Sequence, residues 1–233
     1  MSIGFRILPR IRKVSPAAVS IFRDLPVATI SDSMSRMFAS GPTLRPMHDR
    51  GQLLGPAITV RTRPGDNLMV HKALDLAEPG DVIVVDAGGD LTNAIVGELM
   101  VSYAESRGLA GLVIHGAIRD AEALSAGQFP VFAAGITHRG PYKDGPGEIN
   151  TDISLSGMVI QPGDLIVGDN DGLLCVPFEY VTSVGAAARA KQSSEELALR
   201  RIRAGTQDKS WVDITLRQLG CEMPETSMSG NQD

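Results

Sequence analysis

Pro79-Gly80-Asp81-Val82-Ile83-Val84-Val85-Asp86-Ala87-Gly88-Gly89-Asp90 is the stretch whose reading decides the fold. Pro-Gly-Asp is turn chemistry, because proline presets φ and glycine supplies the positive φ of a tight turn. The run Val82 to Asp86 that follows is β-branched and lacks polar alternation, which predicts a strand buried on both faces. Ala87-Gly88-Gly89-Asp90 ends it. Ala94, Ile95, Val96, Leu99, Met100, Tyr103 and Ala104 then recur at helical spacing and predict a helix that begins near Asn93 to Gly97 and stops near Gly108. Leu109 to Ile114 is the next apolar strand, closed by His115-Gly116-Ala117-Ile118-Arg119-Asp120. Glu122 to Ala126 predicts a short helix and Val131 to Ala134 a third strand. Strand-helix-strand alternation of this kind implies right-handed βαβ units with parallel pairing, an α/β fold.

Upstream, Ser15-Pro16 is an N-cap followed by a first-turn proline. A second short helix is expected after Thr29, with Ile30, Met34 and Met37 on one side and Asp32 on another. Gly55 to Arg61 reads as a strand entered from a turn, and Asp66 to Leu76 as a helix carrying Leu68, Met69, Ala73 and Leu76 at helical spacing. Downstream the character changes. Ile153 to Ile160, Leu165 to Val167 and Leu173 to Val176 are short strands separated by Gln161-Pro162-Gly163-Asp164 and Asp169-Asn170-Asp171-Gly172, hairpin signals that predict a second, mostly antiparallel sheet. Val181 to Ala204 predicts a long helix. The expected organisation is an arm over 1–14, one α/β domain over 15–180, a helical extension over 181–221, and a polar tail over 222–233 with the composition of a disordered segment.

The 233 residues carry a net charge of −5 and 43% hydrophobic residues. Such a chain can bury a full core, and its acidic balance argues against a nucleic-acid binder. The two cysteines, Cys175 and Cys221, form no framework and suit a reducing compartment. With no signal peptide pattern and no apolar run of the ~18 or more residues a membrane helix needs, a cytoplasmic location is expected. The four histidines lack paired zinc-ligand spacing. Asp169-Asn170-Asp171-Gly172 has calcium-loop residue types without the full loop pattern, so it reads as a turn.

Two places could carry chemistry. The turn into the helix at Gly97-Glu98 offers backbone N–H groups to a small anion and, at Gly97, close approach to the main chain; Glu98 adds a carboxylate. Arg119-Asp120 stands at the end of the next parallel strand, and strand carboxyl ends face the ligand crevice in open α/β sheets. Arginine offers a fork of donors for a carboxylate or enolate oxygen, and aspartate suits Mg²⁺ or Mn²⁺. Spacing leaves the bland readings open: a common glycine turn, and a local Arg–Asp ion pair at the sheet edge.

The ordered set Gly55-Pro-Ala-Ile-Thr-Val, Gly65-Asp-Asn, Pro79-Gly-Asp-Val-Ile-Val-Val-Asp, Gly97-Glu-Leu-Met, Gly108-Leu-Ala-Gly-Leu-Val-Ile, Gly116-Ala-Ile-Arg-Asp, Pro130-Val-Phe and Pro162-Gly-Asp-Leu-Ile-Val-Gly resembles the RraA-like family over roughly residues 25–180. The family holds 4-hydroxy-4-methyl-2-oxoglutarate aldolases that also decarboxylate oxaloacetate, and regulators of a ribonuclease. The resemblance implies a swivelling β/β/α domain assembled as a homotrimer or hexamer, with active sites between subunits. It implies that the backbone of Gly97, Glu98, Leu99 and Met100 holds the substrate carboxylate, that Arg119 binds substrate, and that Asp120 binds a divalent cation, Mg²⁺ or Mn²⁺, directly or through water. Glu98 and Asp32 would act in proton transfer, Asp32 from a neighbouring chain, where Glu195 or Glu196 is a further candidate carboxylate.

Two positions depart from the family pattern: Asp32 stands where glutamate is usual, and Ala123 where an acidic residue usually follows the metal aspartate. The expected activity is a class II type cleavage of 4-hydroxy-2-oxo acids to pyruvate, with oxaloacetate decarboxylation through the same enolate. The alternative is a non-catalytic RraA-type regulator that binds a protein such as a ribonuclease. A methyltransferase is disfavoured, because no S-adenosylmethionine loop with a following ribose-binding acid is found. No membrane or nucleic-acid partner is expected.

Overall fold

The computed structural model describes residues 3–224. The chain divides into two compact units, Met1–Gln192 and Ser193–Asp233. In chain order the first unit holds β1 (Phe5–Ile7), α1 (Pro16–Ser20), α2 (Val27–Ser33), β2 (Arg45–Pro46), β3 (Leu53–Thr62), α3 (Leu68–Leu76), β4 (Val82–Asp86), β5 (Ala94–Val96), α4 (Glu98–Ser106), β6 (Gly111–Ile118), α5 (Ala121–Ala126), β7 (Val131–Ile136), β8 (Gly147–Ile149), β9 (Ile153–Leu155), β10 (Met158–Ile160), β11 (Leu165–Asp169) and β12 (Gly172–Val176). The long helix α6 (Val181–Arg203) crosses the division, and the second unit also holds α7 (Ser210–Gln218).

The main sheet runs β1-β8-β3-β4-β6-β7-β2. Its centre, β3-β4-β6-β7, is parallel, as expected of βαβ units. A second, antiparallel layer is made by β11 and β12, whose β11 pairs with Leu53–Pro56 of β3; β9 and β10 form a separate hairpin. The strand β3 therefore serves both layers. Gly55-Pro56 marks the change: a Cβ on Gly55 would stand 2.3 Å from the Gly80 carbonyl oxygen, and Pro56 removes a ladder donor where the partners switch. Three cores follow from the alternation. In β4, Ile83 and Val85 face one core with Met69 and Leu74 of α3 and Ala104 of α4. Val82 and Val84 face another with Ile153, Ile160, Ile166 and Cys175. Beyond the second layer, Leu165, Val167, Leu174 and Val176 pack on Phe22 after α1, Ile30 of α2, and Val181, Val184 and Ala188 of α6. This is the β/β/α layering.

Five local expectations are corrected. Ala94, Ile95 and Val96 form β5, and the helix starts only at Glu98; β-branched Ile95 and Val96 fit the parallel pairing with Ala117 and Ile118 better than a helix. β6 continues through Gly116-Ala117-Ile118 rather than closing before them. The segment expected to be an arm is joined to the domain: Phe5–Ile7 pair in parallel with β8, and Arg10 bonds buried Asp81 at 2.9 Å. α2 ends at Ser33, so Met37, expected on one side of it with Ile30 and Met34, lies beyond the helix and is 77% exposed, and α3 buries Met69, Val70, Ala73 and Leu74 while Leu68 and Leu76 lie outward. The Ser15 cap is as read: its side chain accepts from the Ala18 amide. The tail beyond 224 lies outside the described residues. Among the described residues no helix is long and apolar enough to cross a membrane.

Candidate functional site

β4 ends at Asp86, and β5 takes over beside the extension of β6. That handover brings the start of α4 against the end of β6. Gly97 is the N-cap of α4 in extended backbone, and a Cβ placed on it would stand 2.4 Å from Asp120 Oδ2 and 2.8 Å from Arg119 Cγ. Only glycine leaves this space. The Glu98 amide donates to Asp120 Oδ2 at 3.0 Å, so the aspartate caps α4 and receives a charge-assisted bond at the positive end of its dipole. Arg119 Nε lies 3.5 Å from the same oxygen, with the two side chains 42% and 40% exposed. Asp120 adopts left-handed backbone, φ 57°, a conformation that Asp tolerates better than most residues. The ion pair that spacing left open is present, but it is half-open to solvent and stands on the α4 terminus.

Beside this apex lies a cleft of about 300 Å³ lined by Asn67, His71, Ile95, Val96, Gly97, Leu99, Met100, Arg119, Gly140, Pro141 and Lys143. The sequence-predicted Gly97, Leu99, Met100 and Arg119 are thus brought together, with Glu98 and Asp120 at the rim through their mutual bond. Leu99, 81% exposed, presents apolar surface there. Two of the four amides assigned to a substrate carboxylate are engaged within the chain: Glu98 donates to Asp120 and Met100 to the Gly97 carbonyl at 3.1 Å.

The far wall was not foreseen as a binding surface. His71 comes from α3, and Lys143 from the segment after β7. Burial, and then the Lys143 charge, hold the His71 imidazole below its ordinary range, which favours the neutral ring. Asn67 is buried; its Nδ2 donates to the Ile95 carbonyl at 2.9 Å and approaches Met100 Sδ at 3.3 Å. The cleft therefore offers one guanidinium, one ammonium, one neutral imidazole and one amide around a partly apolar floor. That set suits a short organic acid with a second polar or anionic end.

The remaining candidates lie elsewhere. Asp32, on α2, is paired with Arg36 at 2.7 Å and Lys191 at 3.2 Å; the Lys191 bond, then that of Arg36, holds its carboxyl below the ordinary range. It does not line the cleft of its own chain. Glu195 and Glu196 fall in the second unit, on the C-terminal half of α6. His115 pairs with Asp86 at 3.4 Å outside the cleft, and Ala123 is exposed on α5.

Asp120 puts one half-exposed carboxylate beside the α4 terminus, which fits a hard cation that keeps several waters. Among the described residues no group of three or more His, Cys, Asp or Glu is gathered to hold an ion, so water or another copy would complete the shell.

A family model described as RraA-like, Aldolase/RraA, matches residues 27–175. A protein of Halalkalibacterium halodurans provisionally named 4-hydroxy-4-methyl-2-oxoglutarate aldolase is 44% identical over 184 residues, which cover 79% of this chain and 88% of that relative. Among solved structures, the RNA-processing inhibitor RraA from Thermus thermophilus is 32% identical with a TM-score of 0.61, covering 65% of this chain and 92% of that one. An uncharacterised protein from Pseudomonas syringae pv. tomato, 24% identical, superposes with a TM-score of 0.75 over 83% of this chain and 95% of its own length, a likeness of fold alone.

Proposed function

The chain belongs to the RraA-like family, and on that premise we propose that it is a divalent-metal-dependent lyase that cleaves 4-hydroxy-2-oxo acids to pyruvate and decarboxylates oxaloacetate. The observation that carries this reading is the apex, where Gly97 leaves room for the Arg119 and Asp120 side chains and the Glu98 amide donates to Asp120 at 3.0 Å. Asp120 would hold Mg²⁺ or Mn²⁺, directly or through water, and Glu98 would hold its water shell. When bound, the ion supplies Lewis-acid stabilisation of negative charge at the 2-oxo oxygen.

The chain's own residues do the rest. The Arg119 fork binds the 2-oxo acid end and faces charge that grows during bond breaking, so it acts more strongly on the transition state than on the ground state. Lys143 and His71 receive the distal end of the acid. Glu98 takes the C4 hydroxyl proton through water as the C3–C4 bond breaks; the bond's electrons pass into the pyruvate enolate and C4 leaves as a carbonyl. The same proton returns to C3 and yields pyruvate. With oxaloacetate, the electrons of the bond to the departing CO₂ form the same enolate. In a trimer or hexamer, Asp32 and Glu195 or Glu196 of a second copy would add carboxylates at this opening.

The second reading, a regulator that binds a ribonuclease, draws on the likeness to the Thermus thermophilus inhibitor. One assay separates the two. Chelator-treated protein is given oxaloacetate and several 4-hydroxy-2-oxo acids, with and without Mg²⁺ or Mn²⁺, and pyruvate is followed. Metal-dependent pyruvate is the expected result; none from any substrate with either metal favours the regulator.

A further inference from the structure

Asp66 stands immediately before α3, fully buried at 0% exposure, and none of the chemistry above uses it. Its carboxylate joins two segments far apart in sequence. Oδ1 accepts the Leu68 amide at 3.0 Å, capping the first turn of α3. Oδ2 accepts the Asp144 amide at 2.7 Å and the Gly145 amide at 2.9 Å, and Arg63 reaches it at 3.2 Å. Backbone bonds follow the same seam: Asn67 N–H to the Tyr142 carbonyl at 3.0 Å and Tyr142 N–H to the Gly65 carbonyl at 2.8 Å. One segment brings Asn67 and His71 to the cleft, and the other brings Gly140, Pro141 and Lys143. The far end of the second segment is tied separately, through Asn93 Nδ2 to the Gly140 carbonyl at 2.6 Å.

Taking the cleft as the 2-oxo acid site, we infer that Asp66 is a positioning residue that sets the distance between the α3 wall and the Lys143 wall, and so determines how the distal end of the substrate is held. A carboxylate is required here because both of its oxygens must accept, one for each wall. Asparagine has the same shape but only one acceptor, so its NH₂ would face either the Leu68 amide or the Asp144 and Gly145 amides, donor against donor. Asp66→Asn therefore releases one wall with little change of volume. Arg63 cannot substitute, since a guanidinium only donates and cannot accept the Leu68, Asp144 or Gly145 amides.

The test uses the full chain with Mn²⁺ and oxaloacetate. Asp66→Asn should raise KM about tenfold, the equivalent of one lost charge-assisted hydrogen bond, with kcat changed by less than about threefold. Lys143→Ala should raise KM similarly, and the double variant should be no worse than the worse single one, because both act through the same contact. A residue that merely supports the fold would instead lower melting temperature and active fraction with KM unchanged, and that result, or KM effects that multiply in the double variant, would overturn the inference. Hydrogen exchange reads the clamp without turnover. The Asp144 and Gly145 amides lie outside any helix or strand, yet should be protected in the unaltered protein and exchange at least about tenfold faster in Asp66→Asn; unprotected amides in the unaltered protein sink the clamp even if the variant does not fold. Absence of pyruvate from the unaltered protein would count against the lyase reading, while the exchange experiment still decides the clamp.

Discussion

Asp81 and Asp164 close two copies of one turn, Pro79-Gly80-Asp81 and Pro162-Gly163-Asp164, and both carboxylates are buried. Each accepts the backbone amide three residues upstream, from Glu78 at 2.8 Å and Gln161 at 2.9 Å. Each also takes an arginine from the N-terminal segment, Arg10 at 2.9 Å and Arg12 at 3.3 Å. Burial pushes the Asp164 carboxyl above its ordinary range. Asp120 differs in every respect that matters for chemistry. It is 40% exposed, sits in left-handed backbone, and accepts one amide, with Arg119 alongside at 3.5 Å. The closed carboxylates fasten a segment to the domain, whereas the open one is left facing solvent, as the proposed cation site requires. Aspartate alone therefore does not signal a site; what its oxygens have left to bind does.

Three substitutions sharpen or break this contrast. The largest stability effect is expected from Asp81→Ala. It leaves Arg10, only 10% exposed, with the exposed Glu78 at 3.7 Å as its remaining partner and takes the buried carboxylate from Lys13 as well, and should cost about 3–5 kcal/mol, a fall in Tm on the order of 10 °C. Calorimetry and turnover of the folded fraction check it, and a loss of kcat with Tm intact would erase the distinction between the two kinds of aspartate. Gly97→Ala comes next. Its Cβ would meet Asp120 Oδ2 at 2.4 Å, so the carboxylate must move, and kcat/KM should drop about 10²-fold with Tm nearly unchanged. Steady-state kinetics near those of the parent would show that Asp120 need not occupy this position.

The smallest effect concerns His71. Because burial and Lys143 hold its folded pKa below the ordinary 6.5, the unfolded chain binds more protons just below that pH, and stability rises with pH through the window. As pH falls from 6.5 toward 5, the parent should lose stability relative to His71→Asn, and the two Tm curves should run parallel above pH 7. Parallel curves throughout would mean that the ring is not penalised by its cleft.

The parallel sheet, its order of elements and the Arg119–Asp120 to Gly97–Glu98 meeting were legible because each rests on local chemistry: β-branched runs, glycine turns and strand ends. What was hidden depends on distant pairing. Phe5–Ile7 is a three-residue strand whose partner, β8, lies at 147–149, too short and too remote to announce itself. Ala94, Ile95 and Val96 fell into register with the following helix, and only the extended Gly97, invisible to periodicity, separates strand from helix. The far wall of the cleft unites positions 67, 71, 140, 141 and 143 through the Asp66 seam, a pairing between segments distant in sequence that no local pattern marks.

On the proposed function the open carboxylate, and not the closed ones, is where the reaction happens. Metal-dependent pyruvate release from oxaloacetate tests this in the parent and in Asp120→Ala, both stripped with chelator and reloaded with Mn²⁺, at matched folded fraction. Expected are turnover in the parent, a loss of at least about 10³-fold in the variant, and melting curves that nearly coincide, since Asp120 is half-exposed and would serve the ion rather than the core. Full activity in Asp120→Ala would contradict it.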